Sequence, residues 1–113
     1  MTEHGAVRVR AQGEVDEEAV TRLLVKLRAA CGRLGLPAEG ALTVVRAAAH
    51  HVRRPWTATA RLLVDGTVVV VHAEETTARA LADRLEDRVL TRAGQAAHRR
   101  THTPPPWRTD SGT

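Results

Sequence analysis

The chain contains no phenylalanine and no tyrosine, and only two tryptophans in 113 residues. A core built around stacked rings is excluded, so it has to come from Val, Leu and Ala, with Trp56 as the one large anchor inside a regular pattern. Cysteine is nearly as scarce. Cys31 has no second cysteine to pair with, which excludes an internal disulfide and fits a reducing compartment. No apolar run reaches the ~18 residues that cross a bilayer, and residues 1–8 lack the apolar stretch of a signal peptide. These absences predict a soluble, cytoplasmic protein without a membrane contact. Lysine is almost missing too: Lys26 stands alone among 17 basic residues, against 13 acidic ones. The resulting net charge of +4 suits an acidic partner, nucleic acid foremost. A GC-rich genome writing Arg for Lys explains part of the same excess.

Catalytic signatures are lacking as well. The sequence holds no phosphate-cradling glycine loop, no nucleophile elbow and no zinc pattern of cysteines. His98 and His102 have helical spacing and His50 and His51 are adjacent, but neither pair has the acidic or thiol companions of a metal site. Consecutive Glu74 and Glu75 point apart if extended; a place at the positive end of a helix accounts for them better than paired catalysis. No enzyme activity, cofactor, metal or small-molecule substrate is expected.

What is present is a clear order of elements. Val7, Val9 and Ala11 alternate with Arg8 and Arg10 as a half-buried strand ended by Gly13. Asp16 is a good helix N-cap, followed by Glu17 and Glu18 in the first turn. Val20, Leu23, Leu24, Leu27, Cys31 and Leu34 then form one apolar stripe. Gly35-Leu36-Pro37 closes that helix. Cys31 falls on the apolar face, as a buried, inert thiol. Leu42 to Ala47 reads as a second strand. A third strand turns Trp56, Ala58, Ala60, Leu62 and Val64 to one face and Thr57, Thr59 and Arg61 to the other. Asp65-Gly66 is a two-residue hairpin turn that sets Val64 opposite Thr67, and the fourth strand runs from Thr67 to Ala73. A last helix carries Ala78, Leu81, Ala82, Leu85, Val89 and Ala96 on its apolar stripe. The order β-α-β-β-β-α predicts an α+β two-layer sandwich, a four-stranded sheet with both helices on one face. Residues 1–98 form this single domain, and residues 99–113 an Arg- and Pro-rich flexible tail.

The basic residues are arranged with equal regularity. Arg84, Arg88 and Arg92 recur every four residues, stacking like charges along one helical edge at a cost of a few tenths of a kcal/mol per pair. Each step rises ~6 Å, near the separation of neighbouring phosphates on a nucleic-acid strand. Pairing of Arg79 with Asp83 and Arg84 with Asp87 offers an intrahelical alternative, but it leaves Arg88 and Arg92 unmatched. Arg22, Lys26 and Arg33 fall opposite the apolar stripe of the first helix. Every charged residue between Glu39 and Asp65 is basic; among these, Arg53 and Arg54 fit a phosphate contact or a solvated basic loop equally well.

These residues resemble a known family. The hairpin, the His72-Ala73-Glu74-Glu75 exit, and Ala80-Leu81-Ala82-Asp83-Arg84-Leu85-Glu86 look like the ribosome hibernation-promoting factors, also called ribosome-associated inhibitors or sigma-54 modulation proteins. The resemblance spans about residues 5–95 and includes the element order and the Gly13-Glu14-Val15-Asp16 approach to the first helix. It implies a domain that lodges in the small ribosomal subunit between head and body. There it would occupy the mRNA and tRNA channel near the decoding centre, contact 16S rRNA through basic residues and silence idle ribosomes by steric exclusion. Carried over by position, the contacts are Lys26 on the first helix and Arg84, Arg88 and Arg92 on the second. Arg22, Arg53 and Arg54 complete the expected RNA-binding set, on a chain that is monomeric off the ribosome. Two other readings share the element order or the composition: a double-stranded-RNA module, and a protein-interaction domain using an open sheet face with Leu63, Val68 and Val70 uncovered.

Overall fold

The structure, a computed structural model, describes residues 2–4, 7–48 and 52–101, with side chains for 7–48 and 52–97. Chain order is β1 (Thr2–His4), β2 (Val7–Gly13), α1 (Glu17–Arg33), β3 (Gly40–Arg46), β4 (Trp56–Val64), β5 (Thr67–Glu75) and α2 (Ala78–Thr101). The expected four strands are present in one sheet, and the three-residue β1 adds an antiparallel edge beside β2. β2 and β3 run parallel, joined through α1; β3, β4 and β5 follow antiparallel. The sheet is therefore mixed, the parallel pair requiring the helical crossover that α1 supplies.

Local signals act where the sequence places them. Asp16 Oδ1 accepts from the Ala19 amide at 2.9 Å, capping α1. At its other end Gly35 takes a positive φ of 69°. The Leu36 amide donates to the Cys31 carbonyl (2.9 Å) and the Gly35 amide to that of Gly32 (3.1 Å), the paired bonds of a Schellman closure. Asp65 and Gly66 both adopt positive φ, 51° and 82°, as the tight hairpin requires, and Val64 pairs with Thr67.

Register places the core. Val9, Leu42, Ala60 and Val71 lie in one row across four strands, and all are buried. Their alternates, such as Arg10 and His72, are exposed. One sheet face is therefore buried: α2 packs over β4 and β5 and against α1, and buried residues of both helices belong to the same core as that face. The largest fully buried side chains are Leu23, Leu27, Leu42, Leu62, Leu81 and Leu85. Trp56 is buried at the end of the sheet rather than at the centre of this leucine core. Burial pushes the Cys31 thiol up, as an inert thiol on the apolar face should be.

Three expectations need correction. Glu74 and Glu75 close β5 and do not start the helix; α2 has no acidic residue in its first turn, and Thr77 Oγ1 caps it by accepting from the Ala80 amide at 3.1 Å. Ala11, placed on the buried side, is exposed, because β1 flanks only Val7–Val9. α2 runs to Thr101, three residues into the expected tail. The rest of that tail, with His102 and Trp107, lies outside the described residues, as do His50 and His51; the side chain of His98 does too.

Candidate nucleic-acid interface

Three elements converge where β4 begins and β5 ends. Across the sheet Arg46 pairs with Trp56, and Trp56 with Glu75. The Arg46 guanidinium sits 5.3 Å from the centroid of the Trp56 ring, a cation–π distance that sequence reading missed because it depends on the β3–β4 register. From α2, Arg84 donates to Oε2 of Glu75 through Nε at 3.0 Å and Nη2 at 2.7 Å. This pairing holds the Glu75 carboxyl below its ordinary value, with a smaller contribution from the nearby Arg54. Arg53 and Arg54 line a surface concavity together with Val52, Glu74 and Thr76. The basic loop and the start of the arginine stripe thus meet around one carboxylate.

Beyond Arg84, the stripe continues along α2. Arg84, Asp87, Arg88, Thr91 and Arg92 line a single shallow groove. Arg88 and Arg92 are exposed, and neither has an ion-pair partner among the described residues. The intrahelical alternative is not what forms: Arg84 turns to Glu75 rather than Asp87, and Asp83 takes Lys26 rather than Arg79.

Lys26 does not face solvent opposite the apolar stripe as expected. Its Nζ bridges the helices to Asp83 Oδ1 at 3.2 Å and Glu86 Oε1 at 3.6 Å. The hydrogen bond to Asp83 and the charge of Glu86 raise its pKa above the ordinary value. A helix turning ~100° per residue puts Asp83 and Glu86 on one side of the buried Leu81, Leu85 and Val89, and Arg84, Arg88 and Arg92 on the other. Lys26, with exposed Arg22 one turn before it, therefore lies on the α1 side and cannot share a surface with the stripe. Of the seven expected contacts, Arg84, Arg88 and Arg92 share one groove and Arg53 and Arg54 line another, with Arg54 and Arg84 meeting at Glu75; Arg22 and Lys26 stand apart.

The uncovered sheet face holds groups of other kinds. Arg10, Thr43, Thr59 and His72 form one row across four strands, and Arg8, Ala41, Arg61 and Val70 the next. His72 lies between Thr59 Oγ1 (3.1 Å from Nδ1) and Glu74 Oε2 (3.2 Å from Nε2). Nearer the hairpin, Leu63, Val68 and Val70 are 38, 60 and 45% exposed, as the alternation predicted. No three His, Cys, Asp or Glu side chains gather to hold a metal ion among the described residues, and no described helix is long and apolar enough to cross a membrane. Comparison with known protein families and with curated proteins finds no match.

Proposed function

We propose that the chain is an RNA-binding inhibitor of the hibernation-factor type, occupying the mRNA and tRNA channel of the small ribosomal subunit without catalysing a reaction. The observation that carries this reading is the groove of the α2 stripe, whose Arg88 and Arg92 are exposed and lack a carboxylate partner among the described residues, with Arg54 near the Glu75 carboxylate at the stripe's start. Guanidinium groups in that condition suit phosphate oxygens, which accept two parallel hydrogen bonds from each. Arg84, already tied to Glu75, contributes mainly by fixing the helix start beside the loop. Lys26 joins helix to helix and is not part of the contact set. The resemblance in element order and in the Asp83-Arg84-Leu85-Glu86 stretch supplies the ribosomal address.

Co-sedimentation with small subunits on sucrose gradients tests the reading. The chain should migrate with the subunit at low salt and dissociate steeply as salt rises. About four phosphate contacts correspond to a log–log slope of roughly −3 to −4. The exposed strip of Leu63, Val68 and Val70 favours a second reading, a protein-interaction domain, whose complexes would be far less sensitive to salt.

A further inference from the structure

The proposed RNA contacts use one end of the sheet and one flank of α2, leaving the open sheet face without a role. That face carries a shallow depression of about 540 Å³ over β2, β3 and β4. Its floor is Ala41 and Thr43, its rim Arg8, Arg10, Thr59 and Arg61. No acidic residue is among its described lining residues. Arg10 and Arg61 are exposed and form no ion pair among the described residues. We propose that this depression is a second RNA site, which seats one sugar–phosphate strand between Arg10 and Arg61 and binds it without reading sequence.

The dimensions come from sheet geometry. β2 and β4 are separated only by β3, so the Arg10 and Arg61 columns stand ~10 Å apart. That width admits one phosphodiester strand over the small floor of Ala41, with the Thr43 hydroxyl placed to donate to its oxygens, while Thr59 Oγ1 is engaged with His72 Nδ1. Arg8, in register with Glu3 of β1, lies beside Arg10 on the same face and is not counted among the contacts. Sequence-blind binding follows from what the face lacks. RNA-reading sheets stack several bases on aromatic side chains; here Trp56 points to the buried side, and the face presents one ring among the described residues, His72, held between Thr59 and Glu74. The site rests on the reading that the chain binds RNA, and it makes the molecule two-sided: phosphates grip the α2 flank on one surface and the sheet on another. Such a body would hold both walls of an RNA-lined cleft at once.

The test uses the full chain and a fluorescent 20-nucleotide oligouridylate, titrated across salt. R10Q/R61Q should bind about tenfold more weakly, with the log–log slope flattened by roughly 1.4, the release associated with two single-strand contacts. Circular dichroism and Tm should be unchanged, since both side chains are exposed. R88Q/R92Q should retain the binding borne by the sheet, and the quadruple variant should lose both contributions. If R10Q/R61Q matches the parent in affinity and slope while R88Q/R92Q loses binding, the sheet site is wrong and the helical site stands. Failure of the unmodified chain to bind overturns both. Polyglutamate binding that equals oligouridylate binding and disappears in R10Q/R61Q would assign the face to an acidic protein instead.

Discussion

On the α1 side of α2, Asp83 and Glu86 hold Lys26 between two helices; on the far side Arg84 is tied down to Glu75, while Arg88 and Arg92 are exposed without an ion-pair partner among the described residues. Both flanks are rich in charge, and both border the same leucine core. What separates them is whether the neighbouring element offers a carboxylate. α1 brings its lysine to two acids, so that charge is spent inside the fold. β5 ends in Glu75, which satisfies one arginine and leaves the next two turns of helix unmatched. Charge counted along a sequence therefore overstates what is available to a ligand. The surplus is what remains after neighbouring elements have taken their share.

The comparison breaks most completely if the core between the flanks is removed. Leu85→Ala, at a fully buried position, should cost about 3 kcal/mol in urea unfolding and weaken the lysine bridge and RNA binding together. Charge reversal then separates the flanks. R88E/R92E should lower affinity for small-subunit RNA about 100-fold at moderate salt while Tm stays close to that of the parent chain. Freeing Arg84 sharpens the contrast: Glu75→Gln should raise RNA affinity a few-fold by releasing a guanidinium to the phosphates.

The same variant carries a pH signature. Arg84 holds the Glu75 carboxyl below its ordinary 4.5, so the pair stabilises the fold above that pH and its contribution is lost as pH falls through the depressed value. Denaturation curves of parent and Glu75→Gln should therefore differ at pH 6 and converge in strong acid. The smallest effect belongs to the α1 flank. Lys26→Met should lower Tm by on the order of a few degrees, as exposed ion pairs do, and leave RNA affinity unchanged. The Lys26 pKa is raised, so its share of stability persists below the ordinary 10.5 and fades as pH rises through the raised value. Equal loss of RNA binding in Lys26→Met and R88E/R92E would erase the distinction between flanks.

Much of the fold was legible because its signals are local. Asp16, Gly35 and Asp65-Gly66 each act within a few residues, and the alternation of Trp56 to Val64 names its own buried face. The arginine stripe is likewise local, a matter of four-residue spacing. What the sequence left hidden depends on contacts between distant elements. The Glu75–Arg84 bond spans a strand end and a helix, and the Lys26 bridge needs the crossing of two helices. The Arg10–Thr43–Thr59–His72 row requires knowing that β2 runs parallel to β3, because a shift of one residue in that pairing would turn Arg10 to the opposite face. Acids favour a helix start, which is where Glu74 and Glu75 belong on local grounds, but the β4 ladder carries β5 two residues further and leaves the cap to Thr77.

The most direct measurement of the central claim is the salt dependence of small-subunit binding for the parent chain and for R88Q/R92Q. A slope near −3 that moves about 1.5 towards zero in the variant, with the same unfolding curve, is the predicted result. A slope that is flat in the parent, or identical in the two proteins, would mean that these arginines do not hold the chain on RNA.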